Sequence, residues 1–92
     1  DETSLNFNFT LKAADTNQDL ELRGTDLDDI LKGALGNDII HGDGGNDKLH
    51  GNSGSDKLYG DSGNDNLKGD SGNDKLHGGS GSDTLYGGIG ID

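Results

Sequence analysis

From residue 33 to residue 86 the chain says one nine-residue phrase six times in succession: GALGNDIIH, GDGGNDKLH, GNSGSDKLY, GDSGNDNLK, GDSGNDKLH and GGSGSDTLY. So short a period removes most folds from consideration. Each unit is too small to bury a core alone and must stack on its neighbours. A looser copy, GTDLDDILK, precedes the six at 24–32, with Leu27 where the second regular glycine belongs. An incomplete copy, GGIGID, follows at 87–92.

Each position of the unit has a physical reading. Positions 1 and 4 are glycine: Gly33 and Gly36, Gly42 and Gly45, Gly51 and Gly54, Gly60 and Gly63, Gly69 and Gly72, Gly78 and Gly81. Tight turns with positive φ or close backbone approach call for that residue. Position 5 is mostly Asn or Ser, both turn formers. Position 6 is aspartate in every copy: Asp29, Asp38, Asp47, Asp56, Asp65, Asp74, Asp83 and Asp92. Position 8 is Leu or Ile: Leu31, Ile40, Leu49, Leu58, Leu67, Leu76 and Leu85. Positions 7–9 thus read polar–apolar–polar, with Ile30 and Ile39 as the exceptions at position 7. That pattern predicts a three-residue strand with one inward side chain, preceded by a six-residue turn. Stacked strands pair at about 4.8 Å per rung. Two units make one coil, so units n and n+2 lie on the same side and the leucines of both sides meet in a thin interior. The predicted class is all-β, a parallel solenoid.

Composition sharpens the problem. Of the 92 residues 26% are apolar and 27% charged, and the formal net charge is -11. Such a chain buries little apolar surface and repels itself, which places it near the disordered class. Small domains with poor cores rely on disulfides, metals or oligomerisation. There is no cysteine, so metal ions are the obvious staple for an acidic chain. The same charge argues against nucleic acid as a partner. No apolar run approaches the roughly 18 residues of a membrane span. Asp1-Glu2-Thr3-Ser4 lacks the basic start and apolar stretch of a secretory signal peptide. Without an initiating Met, the chain is expected to be a piece of a larger protein.

The pattern G-G-x-G-x-D-x-(apolar)-x resembles the RTX, or hemolysin-type calcium-binding, repeat, a nonapeptide that binds calcium in a parallel β-helix. The resemblance covers residues 24–92, and the leading RGTDLDDILKG resembles the usual entry into such arrays. It implies a right-handed parallel β-roll with calcium in the turns between coils. The implied ligands are backbone carbonyls of the glycine-rich turns, those of the position-1 and position-4 glycines named above, with the position-6 aspartates of units n and n+2. Carried onto this sequence, the pairs are Asp29 with Asp47, Asp38 with Asp56, Asp47 with Asp65, Asp56 with Asp74, Asp65 with Asp83, and Asp74 with Asp92. That allows up to about six calcium ions. Hard oxygen donors in flexible 6–8 coordination favour calcium over magnesium or zinc. About six divalent ions would add roughly +12, close to cancelling the chain's own charge. Metal binding is then folding free energy, and the chain is expected to be largely unfolded without calcium.

The ends depart from the middle. Leu5, Phe7, Phe9 and Leu11 alternate with Asn6, Asn8 and Thr10, the pattern of a half-buried strand, and LELR at 20–23 alternates briefly too. Asp15, Asn17 and Asp19 between them match the opening of an EF-hand loop. Leu20 replaces the required glycine, however, and Asp26 stands where a glutamate is needed, so the segment reads as a polar turn. Residues 1–23 are expected to form an N-terminal β cap, with Phe7 and Phe9 covering Ile30, Ile39 and Leu35. Residues 24–92 are the β-roll, expected to be truncated at its C-terminal end, where Ile89 and Ile91 replace polar residues.

Neither catalysis nor zinc is indicated. No plausible Ser–His–Asp set exists, and the paired carboxylates read as metal ligands first, so the chain is read as non-catalytic. His41 and His77 share a face two rungs apart, too far for one ion, and His50 is on the other face. Lys32, Lys48, Lys57, Lys68 and Lys75 all fall at positions 7 or 9, pointing outward. One face would show His41, Lys57, Tyr59, Lys75 and His77. It resembles in type the calcium-binding R-modules of mannuronan (alginate) C5-epimerases, which makes Lys57, Tyr59 and Lys75 candidate contacts for an acidic polysaccharide. The RTX resemblance implies a secreted bacterial protein exported unfolded and folded by extracellular calcium, with the module supporting a neighbouring domain. The alternatives are a polysaccharide-binding accessory of an extracellular epimerase or lyase, and a spacer in an adhesin.

Overall fold

The computed structural model describes residues 10–12, 19 and 21–92. Among these the regular structure is all strand, each strand three residues long: β1 (Thr10–Lys12), β2 (Glu21–Arg23), β3 (Ile30–Lys32), β4 (Ile39–His41), β5 (Lys48–His50), β6 (Lys57–Tyr59), β7 (Asn66–Lys68), β8 (Lys75–His77) and β9 (Thr84–Tyr86). From β3 onward every strand falls on positions 7–9 of a repeat, as the polar–apolar–polar pattern predicts. The strands alternate between two parallel sheets, β1-β3-β5-β7-β9 and β2-β4-β6-β8. The leucines are in register from rung to rung, Leu31 with Leu49 and Leu49 with Leu67 in one sheet, Ile40 with Leu58 and Leu58 with Leu76 in the other. This is the predicted parallel β-roll.

The core is one side chain thick. Leu31, Ile40, Leu49, Leu58 and Leu67 are fully buried, and Leu22 nearly so. Leu76 is partly buried, and Leu85, on the last rung, is 43% exposed because no further coil lies over it. So thin a core leaves much of the cohesion to main-chain hydrogen bonds, which continue through the turns. The amides of Ser62, Ser71 and Ser80 donate to the carbonyls of Asp43, Asn52 and Asp61 on the coil before, at 3.1–3.2 Å. Glycine at position 4 is a steric requirement of this stacking. At Gly54 φ is +101°, and a Cβ there would overlap the Gly36 carbonyl oxygen of the coil before.

Position 5 forms a second ladder. Its side-chain oxygen accepts the amide of the residue 18 positions on: Asp28 from Asn46, Asn37 from Ser55, Asn46 from Asn64, Asn64 from Ser82, and Asn73 from Ile91, at 2.8–2.9 Å. Asp19 is in the same ladder, accepting from Asn37 at 2.9 Å. With Leu22 in the core file, Asp19 and residues 21–23 thus keep the nine-residue register, and Asp19 acts as an ordinary turn acceptor.

The segment expected as a cap supplies the first strand of each sheet, β1 pairing with β3 and β2 with β4. Phe7 and Phe9, and with them the expected cover over Ile30 and Ile39, lie outside the described residues. Ile30 and Ile39 are half-buried. Leu35 is 45% exposed rather than covered, because position 3 is at the outer bend of the turn, where Ser62, Ser71 and Ile89 are exposed too.

Candidate metal centre

The turn directs position 6 inward. Asp29, Asp38, Asp47, Asp56, Asp65 and Asp74 are each about 1% exposed, while Asp83 is half-buried and Asp92 exposed at the open end. Each expected pair is brought into contact through one amide. The main-chain N–H of Asp29 donates to Oδ1 of Asp47 (2.8 Å), and that of Asp38 to Asp56 (2.7 Å). Asp47 donates likewise to Asp65 and Asp56 to Asp74 (both 2.8 Å), Asp65 to Asp83 (2.8 Å) and Asp74 to Asp92 (2.9 Å). One carboxylate oxygen of each upper aspartate is therefore held by the rung below.

The other oxygen is bare. Oδ2 of Asp47, Asp56, Asp65 and Asp74 is buried and has no hydrogen-bond partner. A buried acceptor without a donor is costly, and more so when it carries charge. Burial accordingly pushes Asp47 and Asp56 up to about 7, against the pull of the Asp29 and Asp38 amides. Neighbouring carboxylates on the rungs above and below add to the rise. Asp65 and Asp74 are raised for the same leading reason.

The position-1 glycines face these oxygens. A Cβ on Gly42 would come 2.6 Å from Asp47 Oδ2 and 3.0 Å from the Gly60 carbonyl oxygen, and one on Gly60 would come 2.6 Å from Asp65 Oδ2 and 2.8 Å from the Gly78 carbonyl. Gly24 and Gly33 repeat the arrangement with Asp29 and Gly42, and with Asp38 and Gly51. At Gly51, Gly69 and Gly78 the nearest atoms are those of Asp56, Asp74 and Asp83. The absent side chain leaves a cradle in which a carboxylate and a carbonyl from adjacent rungs converge, both acceptors. The position-4 carbonyls behave differently: those of Gly36, Gly45, Gly54, Gly63 and Gly72 abut the Cα of the position-4 glycine two units on. Among the described residues no three His, Cys, Asp or Glu side chains come together as a metal cluster, so a cation in these turns must draw on main-chain oxygens. A donor set of carboxylate and carbonyl oxygens fits a hard cation of flexible coordination, which is calcium chemistry.

The sequence model of the RTX calcium-binding nonapeptide repeat matches residues 23–58 and 59–92. The chain belongs to the RTX calcium-binding repeat family. Comparison with curated proteins and with solved structures gives no significant match. Calcium is the cation that this repeat family binds. Among the described residues no helix is long and apolar enough to cross a membrane.

The outer faces of the RTX coil carry the cations. On the sheet of β2, β4, β6 and β8, Lys57 and Lys75 are in register. Tyr59 is stacked between His41 (centroids 4.7 Å apart, planes at 11°) and His77 (5.1 Å, 8°). Both its ring faces are covered, which leaves its edge and hydroxyl for any ligand. That sandwich depends on residues 18 apart being adjacent, so only the two-units-per-coil register makes it visible. On the opposite sheet Lys48, His50, Asn66, Lys68 and Tyr86 line a groove of about 380 Å³. There the Lys68 ammonium lies 5.7 Å from the Tyr86 ring centroid.

Proposed function

We propose that the chain is a calcium-built folding module of a secreted protein: largely unfolded where calcium is scarce, folded outside the cell, and supporting a neighbouring domain. The observation that carries this is the row of buried, unpartnered carboxylate oxygens, each beside a main-chain carbonyl or a glycine without a Cβ. A fold that leaves four buried acceptors bare and raises their pKa is incomplete without a cation. The residues that would hold calcium are the position-6 aspartates from Asp29 to Asp92 with position-1 carbonyls such as those of Gly42, Gly51, Gly60 and Gly78, for up to about six ions. Once bound, calcium supplies positive charge between rungs that would otherwise stack like charges. The test is a calcium titration followed by far-UV circular dichroism, with magnesium as control. A cooperative coil-to-β transition with calcium alone is expected. An equally folded signal in chelator would reduce calcium to an accessory.

A second reading, an accessory for acidic polysaccharide, is favoured by the groove on the β5–β7–β9 face. Positions 7 and 9 of this sheet from β3 onward are Ile30, Lys32, Lys48, His50, Asn66, Lys68, Thr84 and Tyr86, with no acid among them. His50 is lowered in pKa by burial, with Asp70 opposing and Lys32, Lys68 and Lys48 adding to the fall. A chain with one carboxylate per sugar matches the lysines, and Tyr86, 57% exposed, offers a ring to a sugar face. The calcium-bound module should bind a short oligouronate, and Lys48→Gln/Lys68→Gln should weaken it about tenfold. Lys57→Gln/Lys75→Gln, an equal change of charge on the face of the expected contacts Lys57, Tyr59 and Lys75, tests that face: a loss confined to this pair would place the ligand there instead. Equal losses from both pairs would reduce the effect to net charge.

A further inference from the structure

The first two turns differ from the rest in how they treat the position-6 carboxylate. In the unit beginning at Gly24, the Thr25 amide donates to Asp29 Oδ2 at 2.6 Å, and the Thr25 hydroxyl reaches the same oxygen at 3.0 Å. In the next unit the Ala34 amide donates to Asp38 Oδ2 at 3.3 Å. From the third unit on, position 2 turns over. Asp43, Asn52, Asp61 and Asp70 have φ between 66° and 72°, and Gly79 and Gly88 are positive as well. Thr25 and Ala34 are not among the positive-φ residues, as expected of side chains that disfavour that region. The flip redirects the amide: that of Asp43 donates to Asp61 Oδ2 on the next coil, at 3.2 Å. Oδ2 of Asp47 is left bare, as it is in Asp56, Asp65 and Asp74.

We infer that the residue at position 2 decides whether a buried turn closes on itself or takes a cation, so that the turns of Asp29 and Asp38 hold without calcium and those of Asp47, Asp56, Asp65 and Asp74 require it. The inference rests on the calcium reading above and assigns it turn by turn. The protein then has a calcium-independent coil, formed by β3 and β4, against which the calcium-dependent coils stack. Four ions are expected, one for each bare oxygen of Asp47, Asp56, Asp65 and Asp74, rather than six.

Native mass spectrometry of the intact chain across a calcium titration counts the ions, and hydrogen exchange in chelator locates the structure that remains. Four ions are expected, with exchange protection in chelator confined to β3, β4 and the strands beside them. Asp47→Asn should lower the count. Ala34→Asp gives the second turn the residue that its neighbour has at Asp43, and should raise the count by one. Gly36 already has φ +101° there. A count of six for the parent chain, or an unchanged count in Ala34→Asp, would each overturn the inference while leaving the calcium module intact. No bound calcium at all would instead overturn the reading on which it rests.

Discussion

Replacing Asp65 by asparagine separates the two roles that a buried carboxylate can have here. Oδ1 of Asp65 accepts the Asp47 amide at 2.8 Å, its own amide donates to Asp83 Oδ1 at 2.8 Å, and its Oδ2 is buried and bare. Burial pushes its pKa up, the Asp47 amide pulls the other way, and the Asp83 charge adds to the rise. Asparagine keeps the shape and the acceptor and removes the charge. Asp65 borders two rung intervals, one shared with Asp47 and one with Asp83. At a calcium concentration about ten times the dissociation constant, each ion contributes RT ln(1 + [L]/Kd), about 1.4 kcal/mol, so two contribute about 3 kcal/mol. For a domain of this size the loss lowers the thermal midpoint by roughly 12–24 °C. In chelator the expected sign is opposite. With trimethylamine oxide added to populate the fold, Asp65→Asn should refold at the same or a lower osmolyte concentration than the parent. It removes an uncompensated buried charge and retains the hydrogen bond. The assay is circular dichroism, as thermal melts in calcium and as osmolyte titrations in chelator. Equal losses in both arms would refute the reasoning, because the carboxylate would then be a structural group and not a cation ligand.

Further expectations concern the scaffold. Gly54→Ala should cost more than about 3 kcal/mol, since it adds a Cβ at positive φ against the Gly36 carbonyl. Its calcium midpoint by circular dichroism should rise well beyond that of Gly44→Ala, where the nearest atom is 3.2 Å away. Leu58→Ala, at a fully buried site, should cost about 2–5 kcal/mol. Leu85→Ala, on the 43% exposed last rung, should cost less than half as much by denaturant titration in calcium. In chelator, stability should fall as pH rises. Asp47 and Asp56 stand at about 7 in the fold against an ordinary 3.8, so the folded chain binds more protons between those values. Their contribution is full below about 3.8 and lost as pH climbs through about 7. Osmolyte midpoints that match at about pH 5 and about pH 8 would contradict this. For the same reason calcium binding near neutral pH should release protons, measurable by calorimetry in buffers of different ionisation enthalpy.

Much of the fold was legible because the sequence repeats its physics every nine residues. The strands at positions 7–9 and the inward leucine follow from patterns local to one unit, whereas the burial of the position-6 aspartates does not. Two units per coil follow from the need to stack. The pairing of Asp47 with Asp65 came instead from the RTX resemblance, which implies ligands from units n and n+2. Less legible was Asp19, whose place in the position-5 ladder is hidden because Leu20 stands where the repeat has aspartate. Leu35 reads as apolar and therefore covered, yet the outer bend of the turn exposes it.

By itself, then, the sequence determined the solenoid, its register and the acidic rows in its turns, because those depend on periodicity and on the chemistry of glycine and aspartate within a single unit. Tertiary structure decided which carboxylate oxygen is held and which is bare, how Thr25 satisfies Asp29 while Asp43 turns away from Asp47, and how His41 and His77 enclose Tyr59. Each of these depends on backbone direction within a turn or on contact between residues 18 apart. Both come into being only when one coil is laid on the next.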